Sequence, residues 1–323
     1  MNVNNNPNNT NFSLAQSNLS TVQNQSFFSG NNNLNNPGIQ LSEETKSQNA
    51  KLLEIYHNTS KQYFFQKALV IAGNLCYIAE IEYYQSPDSF IHGDVHQLTC
   101  NCFYFHRQNG KSYKGGNYKG LDITIGCPPD FFGGILIRSI LTPQGFIEGP
   151  CKVVDYILSS NGFDTIEKLI MSLLVAAGQQ GKQLQEPIPC DFDNPYLKVI
   201  PNIRQETPIY NGPRVGLNLK KEQQVMGLRC QYIMKAFRFT CYPSMIKNDR
   251  HMLVVQARFN NIPDETIVRD FNLQAGLLNK WVTNFIKGKS MMCEFFLTEE
   301  NNKLDKVAVQ LQALGFFLNI DGY

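Results

Sequence analysis

Apolar residues recur along this chain in two periods, and the change from one to the other divides it. From Glu43 to about Val70, residues Leu52, Leu53, Tyr56, Phe64, Phe65 and Leu69 return at helical spacing, with Ser42 and Thr45 offering a cap. The period then shortens to two. Cys76-Tyr77-Ile78-Ala79-Glu80-Ile81-Glu82-Tyr83-Tyr84 alternates and is rich in β-branched and aromatic residues, which predicts a strand. Leu121–Ile125 and Gly134–Arg138 read as two further, buried strands. Gly149-Pro150 followed by the periodic run to Leu158 predicts a helix with proline in its first turn. A second helix is expected over Thr165–Ala177, then loops over about 180–213. Strands are expected at Arg214–Leu217 and Ala236–Cys241. A long amphipathic helix runs from about Asp264 through Trp281 to Phe285, followed by a short strand at Met292–Leu297 and a helix near Lys303–Leu314. Strands and helices mixed in this way predict an α+β protein.

Residues 1–42 stand apart. They hold no Asp, Glu, Lys or Arg and are dominated by asparagine, so they cannot bury enough apolar surface to offset chain entropy and are expected to be disordered. The expected organisation is therefore a tail over 1–42, a main domain over 43–260 and a helical extension over 261–323. A signal peptide or an arginine-bearing mitochondrial presequence is not visible in that tail.

Composition narrows the function less than the pattern does. At 323 residues, 42% hydrophobic and 17% charged, the chain reads as soluble and globular, and no apolar run approaches the ~20 residues of a membrane span. A net charge of +2 does not by itself announce a nucleic-acid binder, so any basic surface must be local. The acid-free stretch from Val95 to Leu121 supplies one, with Arg107, Lys111, Lys114 and Lys119. Nine scattered cysteines without a C-x-x-C pair read as reduced thiols; neither zinc nor another cofactor is expected.

The candidate chemistry lies between Cys76 and Lys152. On a strand, Glu80, Glu82 and Tyr84 point to one face, and two carboxylates with a ring are not what a packing face needs. Taken alone, Glu82 reads first as a solvated strand carboxylate. Downstream come His92, His96 and His106, three of five histidines, then the basic glycine-rich loop Lys111–Gly120 with Tyr113 and Tyr118. His106 reads as a strand-packing residue. Lys152 sits in the first turn of a helix, where free N–H groups attract anions, although that is also an ordinary helix start.

In order along the chain, these segments resemble the methylpurine (alkyladenine) DNA glycosylases, whose fold is shared with the carboxy-terminal domain of methionyl-tRNA formyltransferase. The segments are Glu80-Ile81-Glu82-Tyr83-Tyr84, Ser86-Pro87-Asp88-Ser89-Phe90-Ile91-His92, the loop through Tyr118 into Leu121-Asp122, Ile135-Leu136-Ile137-Arg138, Gly149-Pro150-Cys151-Lys152, Arg214-Val215-Gly216 and Lys235-Ala236-Phe237-Arg238-Phe239. They span roughly residues 65–240. The resemblance implies a curved, largely antiparallel, barrel-like sheet surrounded by helices. It implies a hydrolase that flips an alkylated or deaminated purine out of damaged duplex DNA and cleaves its N-glycosyl bond. Glu82 would be the general base. Tyr84, His92, Tyr113, Asp122 and Arg138 would line the base pocket. Lys114, Tyr118, Lys119, Gly149, Lys152 and Lys235 would meet DNA. Base-excision repair and a nuclear location follow from that substrate, with a monomer expected; the carboxy-terminal helices read first as an extension packed on the core and second as a surface for a protein partner.

Four features depart from the family. Asp122 stands where the family has an asparagine that excludes guanine, which leaves the base preference open. Tyr84 and His92 are one residue too close, so His92 and His96 both qualify. Tyr118 competes for the wedge that replaces the flipped base, against a plain packing role, and the tryptophan before the late strand is absent. The alternative reading is an inactive protein of this fold that binds nucleic acid or scaffolds a complex; a third is an enzyme for free nucleosides or RNA.

Overall fold

The computed structural model describes residues 43–177, 187–222 and 228–320. The expected disorder of 1–42 lies outside them. In chain order the elements are helix α1 (Glu43–Phe65), strands β1 (Lys67–Ile71), β2 (Asn74–Gln85) and β3 (Cys100–Phe105), the small hairpin β4 (Arg107–Gln108) and β5 (Ser112–Tyr113), and strands β6 (Leu121–Ile125), β7 (Gly133–Thr142) and β8 (Gly145–Glu148). Helices α2 (Pro150–Ser160) and α3 (Ile166–Ala176) follow, then strands β9 (Ile188–Pro189), β10 (Leu197–Pro201) and β11 (Tyr210–Gly212), helix α4 (Leu228–Tyr232) and strand β12 (Arg238–Thr240). The chain closes with helices α5 (Arg250–Phe259), α6 (Asp264–Asp270), α7 (Ala275–Gly288), α8 (Cys293–Leu297) and α9 (Val307–Ile320).

The fold is mixed α and β, built on a curled antiparallel half-barrel. Its strand order is β10-β1-β2-β7-β6-β3-β9, with β12 also on β2, β11 on β12 and β8 on β7. The curl follows from the two long strands, each of which serves two neighbours along one edge. β2 pairs β1 at Asn74–Cys76 and β12 at Glu80–Glu82, and β7 pairs β6 at Gly134–Leu136 and β8 at Ser139–Thr142. A bulge at Ala79 between β2 and β7 adds local twist at the point where β2 changes neighbours.

The two faces of the sheet differ in chemistry. Ile81, Tyr83, Phe103, Phe105, Ile123, Ile135, Ile137 and Phe239 bury themselves in one apolar cluster with residues of α1, α2 and α3. Helix α1 docks through Tyr56, whose ring stacks on Tyr83 at 3.9 Å, and the Tyr83 hydroxyl donates to the Tyr56 carbonyl at 3.0 Å. The other face carries Glu80, Glu82, Asp122, Arg138 and Arg238, all buried. Burying this many charges is tolerable only when each has a partner, so the polar face is where chemistry should be sought.

Several local expectations are corrected. α1 ends at Phe65 rather than Val70, because Lys67–Ile71 pairs with both β2 and β10. The region read as loops contains β10, whose alternating Leu197 and Val199 are buried at the sheet edge, as well as β9 and β11. Arg214–Leu217 is not a strand, and Gly216 there has φ +77°. The long helix is two, because Asn272 adopts φ +48° and stops α6, with Leu273 N bonding back to the Val268 carbonyl at 2.9 Å. Met292–Leu297 holds a helical turn, the usual ambiguity of a short apolar run.

The expected boundary at 260/261 falls inside a shared core. Met252 and Val255 of α5, with Leu219, Cys230, Ile233 and Met234, pack against Phe285, Phe296, Leu311 and Leu314. The carboxy-terminal helices are therefore a layer of the fold. Gly288 and Gly315 let α7 and α9 cross closely, since a Cβ on either would overlap the backbone of the other helix. No helix among the described residues is long and apolar enough to cross a membrane.

Candidate active site

Residues directly opposite in an antiparallel sheet share a face, so the register fixes a row across five strands: Arg238, Glu82, Leu136, Asp122 and Tyr104. Glu82 is fully buried. Its Oε1 accepts from the Val215 backbone N–H at 2.7 Å and lies 3.5 Å from Arg138 Nε, while its Oε2 accepts from the Tyr84 hydroxyl at 2.8 Å. Sequence reasoning grouped Glu82, Tyr84 and Arg138, and the structure brings these three together.

Glu80 is equally buried but differently engaged. It accepts from Arg238 Nε at 2.6 Å, from Arg138 Nε at 3.3 Å and from the Ser139 hydroxyl. Burial alone would raise its pKa, but Arg238 and Arg138 outweigh that and hold the carboxyl below its usual range. Arg138 thus sits between two carboxylates. Burial disfavours its charge, yet Glu82 and Glu80 raise its pKa further. Arg238 continues to the Asn248 carbonyl at 2.8 Å and so ties the sheet to the start of α5. Glu80 thus ties the sheet together through Arg238, Arg138 and Ser139.

The cover over Glu82 comes from the segment after β11. Arg214 pairs with Asp88 and donates to the carbonyls of Tyr83 and Tyr232, both at 3.1 Å. Its guanidinium lies 4.5 Å from the centre of the Tyr84 ring. That anchoring delivers Val215 N to Glu82. Burial, then the neighbouring Glu82, pushes the Tyr84 hydroxyl well above its ordinary pKa, so it remains a hydrogen-bond donor.

Farther along the row, Asp122 Oδ1 lies 2.7 Å from His106 Nε2, and its Oδ2 accepts from Gln97 Nε2 at 3.3 Å. The His106 ring packs edge-on against His92, centroids 4.4 Å apart. His92 Nδ1 is 3.4 Å from the Tyr104 hydroxyl and its Nε2 is 3.0 Å from Lys114 Nζ. Burial of the ring nitrogens, then His106, lowers the His92 pKa to about 4. His106, expected to be a packing residue, therefore belongs to the polar face. The signal was its period-two relation to Tyr104. His96 packs edge-on to Tyr104 from the outer side, 6.4 Å between ring centres. No ring contact joins Tyr84 to His92 among the described residues.

The expected DNA-facing residues divide. Tyr118 is 78% exposed on a single 3-10 turn, where packing is a poor account of it. Lys119 pairs with Asp155, tying the loop between β5 and β6 to α2. Lys152 is exposed in the first turn of α2, and the Gly149 N–H donates to the Arg138 carbonyl at 2.8 Å, which places the helix start beside the buried site. Three expectations fail. Tyr113 packs against the helix-facing apolar core. Lys235 lines a separate recess with Asn49 and Leu53 of α1 and Phe259 of α5. Arg107 is buried in a two-pronged pair with Asp94 and cannot serve a phosphate.

No family model matches the chain. It is 33% identical over 195 residues to "Uncharacterized protein L759" of Acanthamoeba polyphaga mimivirus, covering 54% of this chain and 85% of the viral protein. At that identity and coverage, the chain belongs to the same family as the mimivirus protein.

Proposed function

We propose that this protein is a DNA N-glycosylase of the methylpurine type, excising an alkylated or deaminated purine by hydrolysis. The observation that carries the reading is the convergence of Glu82, Tyr84, Arg138 and the Val215 amide from separate parts of the chain onto one polar sheet face. In the reaction, water attacks C1′ as the bond to the base breaks and the base leaves with the electron pair. The sugar gains oxocarbenium character, which a carboxylate stabilises, and Glu82 accepts the proton of the attacking water. The exposed Tyr118, with Lys119 and Lys152 beside it, offers the surface for the duplex, and a nuclear location goes with that substrate.

In the arrangement described, Glu82 is closed to solvent, so base entry requires the segment of Arg214 and Val215 to move. That closure favours a second reading, a protein of this fold that binds nucleic acid without cleaving it. Wild-type protein incubated with duplexes carrying hypoxanthine, ethenoadenine or a methylated purine separates the two. Release of free base supports the enzyme. Salt-dependent duplex binding with no release from any of them leaves the binding protein.

A further inference from the structure

We propose that Lys114 is the nucleophile of a second reaction at this site, the cleavage of an abasic DNA strand through a covalent imine. The inference rests on the proposed nucleic-acid substrate, but not on base release. Lys114 is fixed by its backbone N–H, which donates to the His106 carbonyl at 2.8 Å, and its half-buried amine meets His92 Nε2 at 3.0 Å. The groups around that pair are His106, Tyr104, Asp94 and Asp122. Other lysines, such as Lys119, Lys168 and Lys198, set their ammonium groups against carboxylates. Lys114 faces a neutral imidazole instead. Burial lowers its pKa, with Asp122 opposing the shift, so the nucleophilic neutral amine is more accessible here than on a solvated lysine.

The chemistry balances without an added oxidant or reductant. The neutral Nζ adds to C1′ of the open-chain sugar aldehyde, and with one proton taken up the carbonyl oxygen leaves as water, giving an iminium. A C2′ proton passes to water or to His92 Nε2, and the C3′–O bond breaks with its electron pair going to the 3′-phosphate. Hydrolysis of the iminium returns the lysine. Asp122, beside the Lys114–His92 pair, lies two strands from Glu82 on the same sheet face.

The test uses full-length protein, a duplex with a preformed abasic site, and sodium borohydride, which reduces the iminium to a stable amine. The expected result is a covalent protein–DNA adduct that maps to Lys114 by peptide mass spectrometry. It should be lost in Lys114→Arg, which keeps the charge, with duplex binding by both proteins read by fluorescence anisotropy. Duplex binding by wild type without an adduct overturns the proposal, as does an adduct that persists in Lys114→Arg or maps elsewhere. A parallel arm with the hypoxanthine, ethenoadenine and methylated-purine duplexes separates the two readings. Base release from a modified duplex without an adduct on the abasic one sinks only the lyase, whereas an adduct on the abasic duplex with no release from any of the modified duplexes sinks only the glycosylase.

Discussion

Glu80 and Glu82 are both fully buried and two residues apart, yet their neutralisation should cost very different amounts. Glu80→Gln removes the charge that faces Arg238 and Arg138 and leaves Arg138 with Glu82 and Arg238 with the carbonyls of Asn248 and Asp249. Breaking a buried pair in this way costs about 3–5 kcal/mol. Glu82 is held by a backbone N–H and a tyrosine hydroxyl, with Arg138 Nε farther off at 3.5 Å. Glutamine can still accept from Val215, and the Tyr84 hydroxyl can turn to accept from the new amide. Glu82→Gln should therefore cost only about 1–2 kcal/mol. At the shift expected for a domain of this size, Glu80→Gln should melt roughly 6–20 °C below wild type and Glu82→Gln within about 8 °C. Circular dichroism melts at neutral pH read both. Equal losses, or a Glu80→Gln melt within a degree or two of wild type, would refute the assignment of Glu80 as the structural carboxylate.

Three further outcomes follow from the geometry. A Cβ on Gly134 would lie 2.5 Å from Asp122 Oδ2, so Gly134→Ala should push Asp122 off its bonds to Gln97 and His106 and destabilise by about 1–3 kcal/mol, read by urea denaturation. His92, His96 and His251 have folded pKa values below the ordinary one, chiefly through burial, so the unfolded state binds their protons first. Stability should fall as pH drops below about 6.5, and His92→Asn should flatten part of that decline toward pH 4, where the depressed carboxyls of Glu80 and Asp94 begin to add their own loss. Tyr118→Ala should leave the melting temperature within about 1 °C, since the ring is largely exposed, but weaken duplex affinity measured by anisotropy; unchanged affinity would remove Tyr118 from the proposed interface.

The half of the chain that carries the polar face was the most legible. β2, β6, β7, α2 and α3 follow from alternation, β-branched runs, Gly149-Pro150 and the Thr165 cap, and Glu82, Tyr84 and Arg138 could be grouped because strand periodicity puts them on one face. What pairing distance decides was not legible. Nothing local distinguishes Tyr113, which turns to the apolar core, from Tyr118, which turns to solvent. Arg107 reads as a surface cation until its buried partner Asp94 is seen, and while Arg214 and Arg238 read as ties through carboxylates, their partners Asp88 and Glu80 could not be named, since they lie 126 and 158 residues away. In the carboxy-terminal layer, α5 was missed and the following helix over-extended, since one asparagine in a left-handed conformation outweighs a continuous apolar period.

The claim that Glu82 activates water is tested most directly by single-turnover base release. Wild type and Glu82→Gln would be compared side by side on the best of the modified duplexes, with duplex binding measured for both. The account predicts release by wild type, with binding retained and release slowed by at least about 10²-fold in Glu82→Gln. Release at wild-type rate by the mutant, or none by either protein while both bind the duplex, would contradict it.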